Sequence, residues 1–196
     1  MKLTAVVASA TRSKRARLAV DVSVSAISNS IAVDVVDLAE VRVSLLDGRA
    51  AAEYEDDTAR VIERITKADC VIFATPVYRG TYTGAFKNLL DHLSLESLEG
   101  KAVGLIATGA TAHHYLMIDT QMRSVLAWFN AYILPGSVYL TEKETGSLDA
   151  LESSGAAEKL KELSRELTGF TKHLPSSPPR PFSLAKFAGP KTSPKG

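Results

Sequence analysis

One stretch, residues 71–85, constrains the fold of this chain more than any other. It begins in an unbroken apolar run, 70–74, which is typical of a strand buried on both faces of a parallel sheet. Thr75-Pro76 ends the run, because proline lacks an amide hydrogen and disfavours helix at the residue before it. A loop with two tyrosines, a cation and two glycines follows, and then a predicted helix over 85–92. The stretch therefore predicts one strand–loop–helix unit.

Strand and helix patterns alternate five times along the chain. Strands are predicted at 3–8, 32–38, 71–74, 102–107 and 132–140, the last interrupted by Pro135-Gly136. Helices are predicted at 13–27, 57–67, 83–92, 115–130 and 148–172. This alternation predicts an α/β protein with a doubly wound, five-stranded parallel sheet. In a flavodoxin-like order, 2-1-3-4-5, the polar loops after strands one, three and four meet at the carboxyl edge.

The loop after strand one has the composition of an anion site. It brings hydroxyls and cations to the start of a helix, where unpaired amides and a partial positive charge favour an anion. The candidate residues are Ser9, Thr11, Arg12, Ser13 and Lys14. The alternative is that Ser13 only caps the helix on a solvated basic turn.

The other two loops suit a flat ring with a polar rim, such as a flavin. The candidates after strand three are Pro76, Val77, Tyr78, Arg79, Gly80, Thr81 and Tyr82, and those after strand four are Thr108, Gly109, Ala110 and His113. One loop for a phosphate and two for a ring is the division that FMN requires. Two alternatives stay open: Tyr82 faces the core, or His113 faces solvent at a helix start.

Several other functions lack their motifs. The chain has no G-x-G-x-x-G, no phosphate-binding P-loop and no G-x-S-x-G nucleophile elbow. Four scattered histidines and one cysteine offer no metal-ligand spacing. A formal net charge of +1 and no apolar run near about 20 residues predict neither a nucleic-acid nor a membrane partner. We expect a cytoplasmic protein in which a cofactor performs the chemistry.

Composition divides the chain at residue 175. We predict one domain over 1–174 and a Pro-rich basic tail over 175–196, which holds six of the eight prolines, four cations and no acid. An extended tail is the first interpretation. The alternative is an arm that packs on a neighbouring subunit through Phe182, Leu184 and Phe187.

The stretch Thr75-Pro76-Val77-Tyr78-Arg79-Gly80-Thr81-Tyr82-Thr83-Gly84 resembles the T-P-[IV]-Y-[KR]-x-[ST]-[YF]-[ST]-G pattern of the NAD(P)H-dependent FMN reductases. These are flavodoxin-like reductases paired with flavin-dependent monooxygenases. Residues 107–110 resemble the family's loop after strand four, and residues 9–13 resemble its phosphate loop. The resemblance as a whole covers about residues 3–172. This chain departs from the pattern at Ala8 and Ala10, where the family usually has Gly and Pro, and at Ala110 and Thr120, which replace a glycine and an aromatic residue.

The resemblance implies a complete function. FMN would be held by the residues named above, and hydride would pass from NADPH or NADH to FMN without a protein acid or base. Reduced FMN would go to a flavin-dependent monooxygenase, and the protein would be a homodimer or homotetramer. Two alternatives are a quinone or azo reductase with tightly bound FMN, and a flavodoxin-type electron carrier. The choice of nicotinamide cofactor stays open, with Arg15, Arg17 and Arg79 as available cations.

Overall fold

A computed structural model of the protein describes residues 1–175, so the predicted tail lies outside the described residues apart from Pro175. Its centre is a sheet in which every pair of strands is parallel. The strands are β1 (Lys2–Val7), β2 (Ala32–Asp37), β3 (Cys70–Pro76), β4 (Ala102–Gly109), β5 (Tyr132–Ile133) and β6 (Val138–Thr141). The order is β2-β1-β3-β4-β5, which confirms the predicted arrangement, and β6 also pairs with β4.

The predicted fifth strand is two short strands rather than one. β5 pairs with the start of β4, at Ala102 and Val103, whereas β6 pairs with its end from Ile106 onward. Pro135 has no amide hydrogen, so it cannot donate a hydrogen bond to a neighbouring strand. In addition, the Arg123 guanidinium donates to the carbonyls of Leu134 and Pro135, both at 2.6 Å, so both carbonyls between the two strands are bonded to a side chain.

Helices cover both faces of the sheet, as a doubly wound fold requires. They are α1 (Lys14–Val24), α2 (Thr58–Thr66), α3 (Gly84–His92), α4 (Arg123–Ala127), α5 (Leu148–Ser153) and α6 (Ala156–Thr171). Buried residues of α1, α5 and α6 form one core with the sheet, and those of α2, α3 and α4 form the other. Within residues 1–175, no helix combines the length and apolarity needed to cross a membrane.

The predicted helix over 115–130 is not one regular α-helix. It consists of a π-helical turn (Ile118–Met122) that continues into the short α4, and a 3-10 turn (Ala112–His114) precedes it. The Thr120 hydroxyl donates to the Leu116 carbonyl at 2.9 Å, a side-chain bond that commonly bends helices. The prediction of one continuous helix was therefore wrong here.

The predicted helix over 148–172 is divided into α5 and α6. Gly155 separates them with φ of 73°, a left-handed conformation that glycine adopts without a steric penalty. Leu151 of α5 and Leu160, Leu163 and Leu167 of α6 are all buried, as the amphipathic pattern predicted. The division turns the chain without changing which side chains enter the core.

Candidate functional site

A cleft of about 450 Å³ lies at the carboxyl edge of the sheet, where the three predicted loops meet. Its volume is within the range typical of small-molecule sites. The lining residues are Thr11, Arg12, Ser13, Lys14, Arg15, Pro76, Val77, Tyr78, Thr108, Gly109 and Ala110. All of them except Arg15 belong to the predicted site. The strand order therefore brings most of the predicted residues together.

The β1–α1 side of the cleft is rich in positive charge. Helix α1 begins at Lys14, and the Ser13 hydroxyl accepts a hydrogen bond from the Ala16 amide at 3.4 Å, so Ser13 does act as an N-cap. Arg12 and Lys14 are exposed, and within residues 1–175 neither forms an ion pair, whereas Arg15 is paired with an acidic partner at 2.7 Å. Free guanidinium and ammonium groups beside a helix start suit an anionic ligand.

Ser9 supports this loop from below rather than lining the cleft. It is fully buried, and its hydroxyl donates to the Thr11 carbonyl at 2.9 Å. The prediction placed Ser9 among the phosphate donors, but in this structure its hydrogen is already committed to the loop's own backbone. Its role here is to shape the turn that presents Thr11 and Arg12.

The loop after β3 is a tight hairpin over residues 78–81. The amide of Tyr78 donates to the Thr81 carbonyl at 2.8 Å, and the Thr81 amide donates back to Tyr78 at 3.1 Å. Between them Arg79 and Gly80 both have positive φ, 54° and 82°. Positive φ at both central residues defines a type I′ turn. Glycine adopts positive φ without a steric penalty, whereas an arginine at such a position is unusual.

Neighbouring segments anchor this hairpin. The Tyr78 hydroxyl shares a hydrogen bond of 2.9 Å with the Thr11 hydroxyl across the cleft. The Gln121 side chain donates to the Gly80 carbonyl at 3.3 Å. The hairpin is consequently fixed to the β1–α1 loop on one side and to the π-helical turn on the other.

The loop after β4 is held by a tyrosine from β6. The Tyr139 hydroxyl donates to the Thr111 carbonyl at 2.7 Å, and burial raises the pKa of this phenol above its usual value. A Cβ atom at Gly109 would lie 1.9 Å from the same hydroxyl, so any other residue would displace Tyr139 from its hydrogen bond. The Val77 amide donates to the Thr108 carbonyl at 2.8 Å, which joins this loop to the hairpin.

Two buried threonines below the cleft connect β1 to helix α3. The Thr83 hydroxyl donates to the Ala8 carbonyl at 2.6 Å and accepts from the Phe86 amide at 3.1 Å, which caps α3. The Thr83 amide in turn donates to the Thr75 hydroxyl at 3.3 Å. Sequence reasoning did not assign either threonine, although Thr83 stands where a helix cap is expected.

A second cavity of about 380 Å³ adjoins the cleft and shares two of its lining residues. It is lined by Val77, Arg79, Gly80, Ala110, Thr111 and His114. Thr111 and His114 belong to the loop that was predicted to border the ring, although neither was assigned to the site, and Arg15 was considered only as an available cation. Thr111 and His114 could have been assigned from their position in the loop after β4, and Arg15 from its position in the first turn of α1.

Three further predicted residues, Thr81, Tyr82 and His113, line neither cavity. Thr81 closes the hairpin. Tyr82 packs edge-on against Phe86, with ring centroids 5.4 Å apart, so its alternative interpretation as a core-facing aromatic is the one this structure shows. The His113 ring is exposed and shares a hydrogen bond of 3.1 Å with the Thr111 hydroxyl. His113 therefore lines neither space, and His114 is the histidine that lines the second cavity.

Comparison with known proteins decides the family. The sequence pattern of the family described as NADPH-dependent FMN reductase matches residues 1–146 of the 196. The chain belongs to this FMN reductase family. It is 36% identical over 135 residues to the NAD(P)H-dependent FAD/FMN reductase of Geobacillus thermodenitrificans, covering 69% of this chain and 73% of that protein. It is 32% identical over 145 residues to an FMN reductase (NADPH) of Pseudomonas aeruginosa, covering 73% and 78%.

The fold extends beyond this family. A flavodoxin from the domain Archaea superimposes with a TM-score of 0.58 at 10% identity, covering 86% of this chain and 99% of the flavodoxin. At that identity the likeness concerns the fold alone, and it confirms the flavodoxin-like class. The FMN reductase described here is thus an oxidoreductase whose cofactors are FMN and NADPH or NADH.

Proposed function

We propose that this FMN reductase binds FMN in the cleft, reduces it with NAD(P)H and supplies reduced FMN to a flavin-dependent monooxygenase. The observation that carries the proposal is the pairing of two different surfaces in one cleft. One is a helix start with Arg12 and Lys14, which form no ion pair within residues 1–175, and the other is backbone held in place by hydrogen bonds at Tyr78 and Thr108.

The β1–α1 loop would hold the FMN phosphate. Arg12 and Lys14 supply charge, Thr11 and Ser13 supply hydroxyls, and the first amides of α1 point to the same place. Ser13 both caps the helix and lines the cleft, so the two interpretations of this residue are compatible. A phosphate dianion would offset positive charge that otherwise has no partner there.

The hairpin and the β4 loop would hold the isoalloxazine ring. Pro76 to Gly80 and Thr108 to Ala110 would border it, mostly through backbone groups. When bound, FMN accepts the nicotinamide hydride and supplies the redox chemistry. The chain would align the two rings, which is a contribution of position rather than of acid or base catalysis.

We infer that FMN is a substrate that leaves after reduction. Several side chains that line the cleft are open to solvent: Thr11, Arg12, Lys14 and Ala110 are exposed, and Tyr78 keeps 47% of its surface exposed. Release of reduced FMN is the property that a partner monooxygenase needs.

A homodimer or homotetramer is part of the same proposal. Tyr115, Leu116 and Trp128 are 56%, 51% and 63% exposed on the segment that follows the β4 loop. Exposed large apolar side chains in one segment are typical of an interface between subunits. Light scattering on the full chain at several concentrations checks this directly, and a monomer at every concentration would contradict it.

The decisive experiment measures oxidation of NADPH and NADH on flavin-stripped protein with increasing free FMN. We expect a rate that continues to rise with FMN well beyond one equivalent, because each FMN molecule leaves after reduction. A rate that stops rising at one equivalent, with a quinone or dye required for turnover, would favour a quinone reductase. Absence of oxidation under both conditions would favour an electron carrier.

A further inference from the structure

The cavity that adjoins the cleft is lined by Arg79, whose guanidinium has no role in the proposed FMN site. Arg79 and His114 line this second cavity, whereas Arg12 and Lys14 line the cleft and not this cavity. The two spaces share Val77 and Ala110, so a ligand stacked on a ring in the cleft can extend into the second cavity.

Arg15, Arg17 and Arg79 could each recognise a phosphate of the dinucleotide, but they differ in whether an acidic side chain already pairs with them. Arg15 is paired with Glu142 at 2.7 Å, and Arg17 with Asp21 at 2.9 Å. The side chain of Arg79 has no ion pair or hydrogen bond to any other residue within 1–175. Of these three arginines, Arg79 is the one whose donors are all free for a ligand among the described residues.

The backbone at Arg79 strengthens this assignment. Arg79 is the first of the two central residues of the type I′ turn, and its φ is 54°. That position is normally occupied by asparagine, aspartate or glycine. Anchors on both sides, the Tyr78–Thr11 and Gln121–Gly80 hydrogen bonds, keep the turn in this shape. Strained residues held by their surroundings are concentrated at ligand sites, and no intramolecular contact of Arg79 explains the choice of arginine.

We propose that Arg79 is the cation of a phosphate subsite for the nicotinamide dinucleotide. A guanidinium offers a planar pair of donors that matches a phosphate. The 2′-phosphate of NADPH and the pyrophosphate common to NADPH and NADH share this chemistry. The inference rests on the proposed placement of FMN in the cleft, because the second cavity then receives the part of the dinucleotide beyond the nicotinamide.

The test uses the full-length, FMN-loaded protein and three variants. Arg79→Asn removes the charge but suits the turn, Arg79→Lys keeps a charge, and Arg17→Gln removes a charge already paired with Asp21. Calorimetric titration with NADP⁺ and NAD⁺ gives the dissociation constants, and the KM values for NADPH and NADH are measured alongside. We expect Arg79→Asn to weaken NADP⁺ binding about tenfold, the size of one charge-assisted hydrogen bond, and Arg79→Lys to recover part of it.

Each result has a distinct meaning. Loss confined to NADP⁺ supports a 2′-phosphate subsite, and equal loss for NADP⁺ and NAD⁺ supports a pyrophosphate subsite. Unchanged affinity for both, or the same loss in Arg17→Gln, overturns the proposal, as does a loss of FMN affinity as large as the loss for NADP⁺. The thermal midpoint of Arg79→Asn should equal or exceed that of the parent protein, which excludes misfolding. Failure of the FMN site itself would appear separately, in variants of Arg12 and Ser13.

Discussion

The two walls of the cleft are built on different principles. The charged wall, Thr11 to Lys14, presents exposed cations with few internal contacts. The bonded wall, residues 77–81 and 108–111, is a network in which the hairpin, the β4 loop and Tyr139 hold one another by hydrogen bonds. Charge on the charged wall can be removed without disturbing the fold. The shape of the bonded wall depends on the hairpin, the β4 loop and Tyr139 together.

This difference predicts a division of labour between the walls. The charged wall should set the affinity for the phosphate and respond to salt, because exposed charges are screened. The bonded wall should set the position of the ring and respond to changes in volume, because its atoms are already in contact. Variants in each wall should therefore change different properties of the protein.

The largest effect is expected from Gly109→Ala in the bonded wall. The new methyl group would meet the Tyr139 hydroxyl at 1.9 Å, and the overpacking should lower the free energy of unfolding by about 3 kcal/mol. The β4 loop must move, so affinity for FMN and for riboflavin should fall together. Chemical denaturation and flavin titration measure the two effects.

Tyr139→Ala provides the control for that clash. Removing the phenol makes room for the methyl group, so the double variant Gly109→Ala/Tyr139→Ala should be more stable than the sum of the two single losses predicts. Strict additivity of the two changes would show that Gly109 is required for another reason.

The next largest effect is expected from Arg12→Ala combined with Ser13→Ala in the charged wall. FMN affinity should fall about thirtyfold, roughly 2 kcal/mol, because charge-assisted hydrogen bonds to the phosphate are lost. Riboflavin lacks the phosphate and should lose little. Lys172→Ala is the control, because Lys172 follows α6 at the opposite edge of the sheet. Equal losses for both flavins would contradict the assignment of the charged wall.

Alkaline pH should lower the free energy of unfolding through Cys70, a buried residue at the start of β3. Burial raises the pKa of the Cys70 thiol from 9.0 to about 11, so the folded state keeps a proton that the unfolded state releases. Stability from this group is complete below pH 9 and is lost as the pH rises toward 11, with about 1 kcal/mol lost near pH 10. Cys70→Ala should remove that part of the pH dependence. Identical slopes in both proteins would contradict this origin.

The smallest effect is expected from Tyr78→Phe, which cuts the hydrogen bond between the walls. The lost contact is exposed and neutral, so FMN affinity should change about threefold, roughly 0.7 kcal/mol. Thr11→Val removes the same bond together with a hydroxyl proposed for the phosphate, so its loss of FMN affinity should be larger than that of Tyr78→Phe. A much larger loss in Tyr78→Phe alone would assign Tyr78 a direct contact with the ring.

The carboxyl edge of the sheet could be predicted from the sequence because its signals are local. An apolar run that stops at Thr75-Pro76, or a strand followed by Ser and Arg, identifies a strand and its loop without knowledge of the rest of the chain. The topology of doubly wound sheets then places such loops together. Those two facts were sufficient to find most of the cleft.

The remaining differences arise from contacts between residues distant in sequence. The requirement for Gly109 comes from Tyr139, and the gap between β5 and β6 involves the Arg123 guanidinium. Ser9 and Tyr82 are polar or aromatic residues in the right loops, yet the first bonds to Thr11 and the second packs on Phe86. Local patterns identify such residues as candidates but do not indicate which way their side chains turn.

The central claim is that one wall binds a phosphate and the other binds a ring. Its most direct test is titration of the flavin-free parent protein with FMN, riboflavin and lumiflavin at low and high salt. We predict that FMN binds tightest, that riboflavin and lumiflavin bind with similar lower affinity, and that only the FMN advantage shrinks with salt. Equal affinity for all three flavins at low salt would contradict the account.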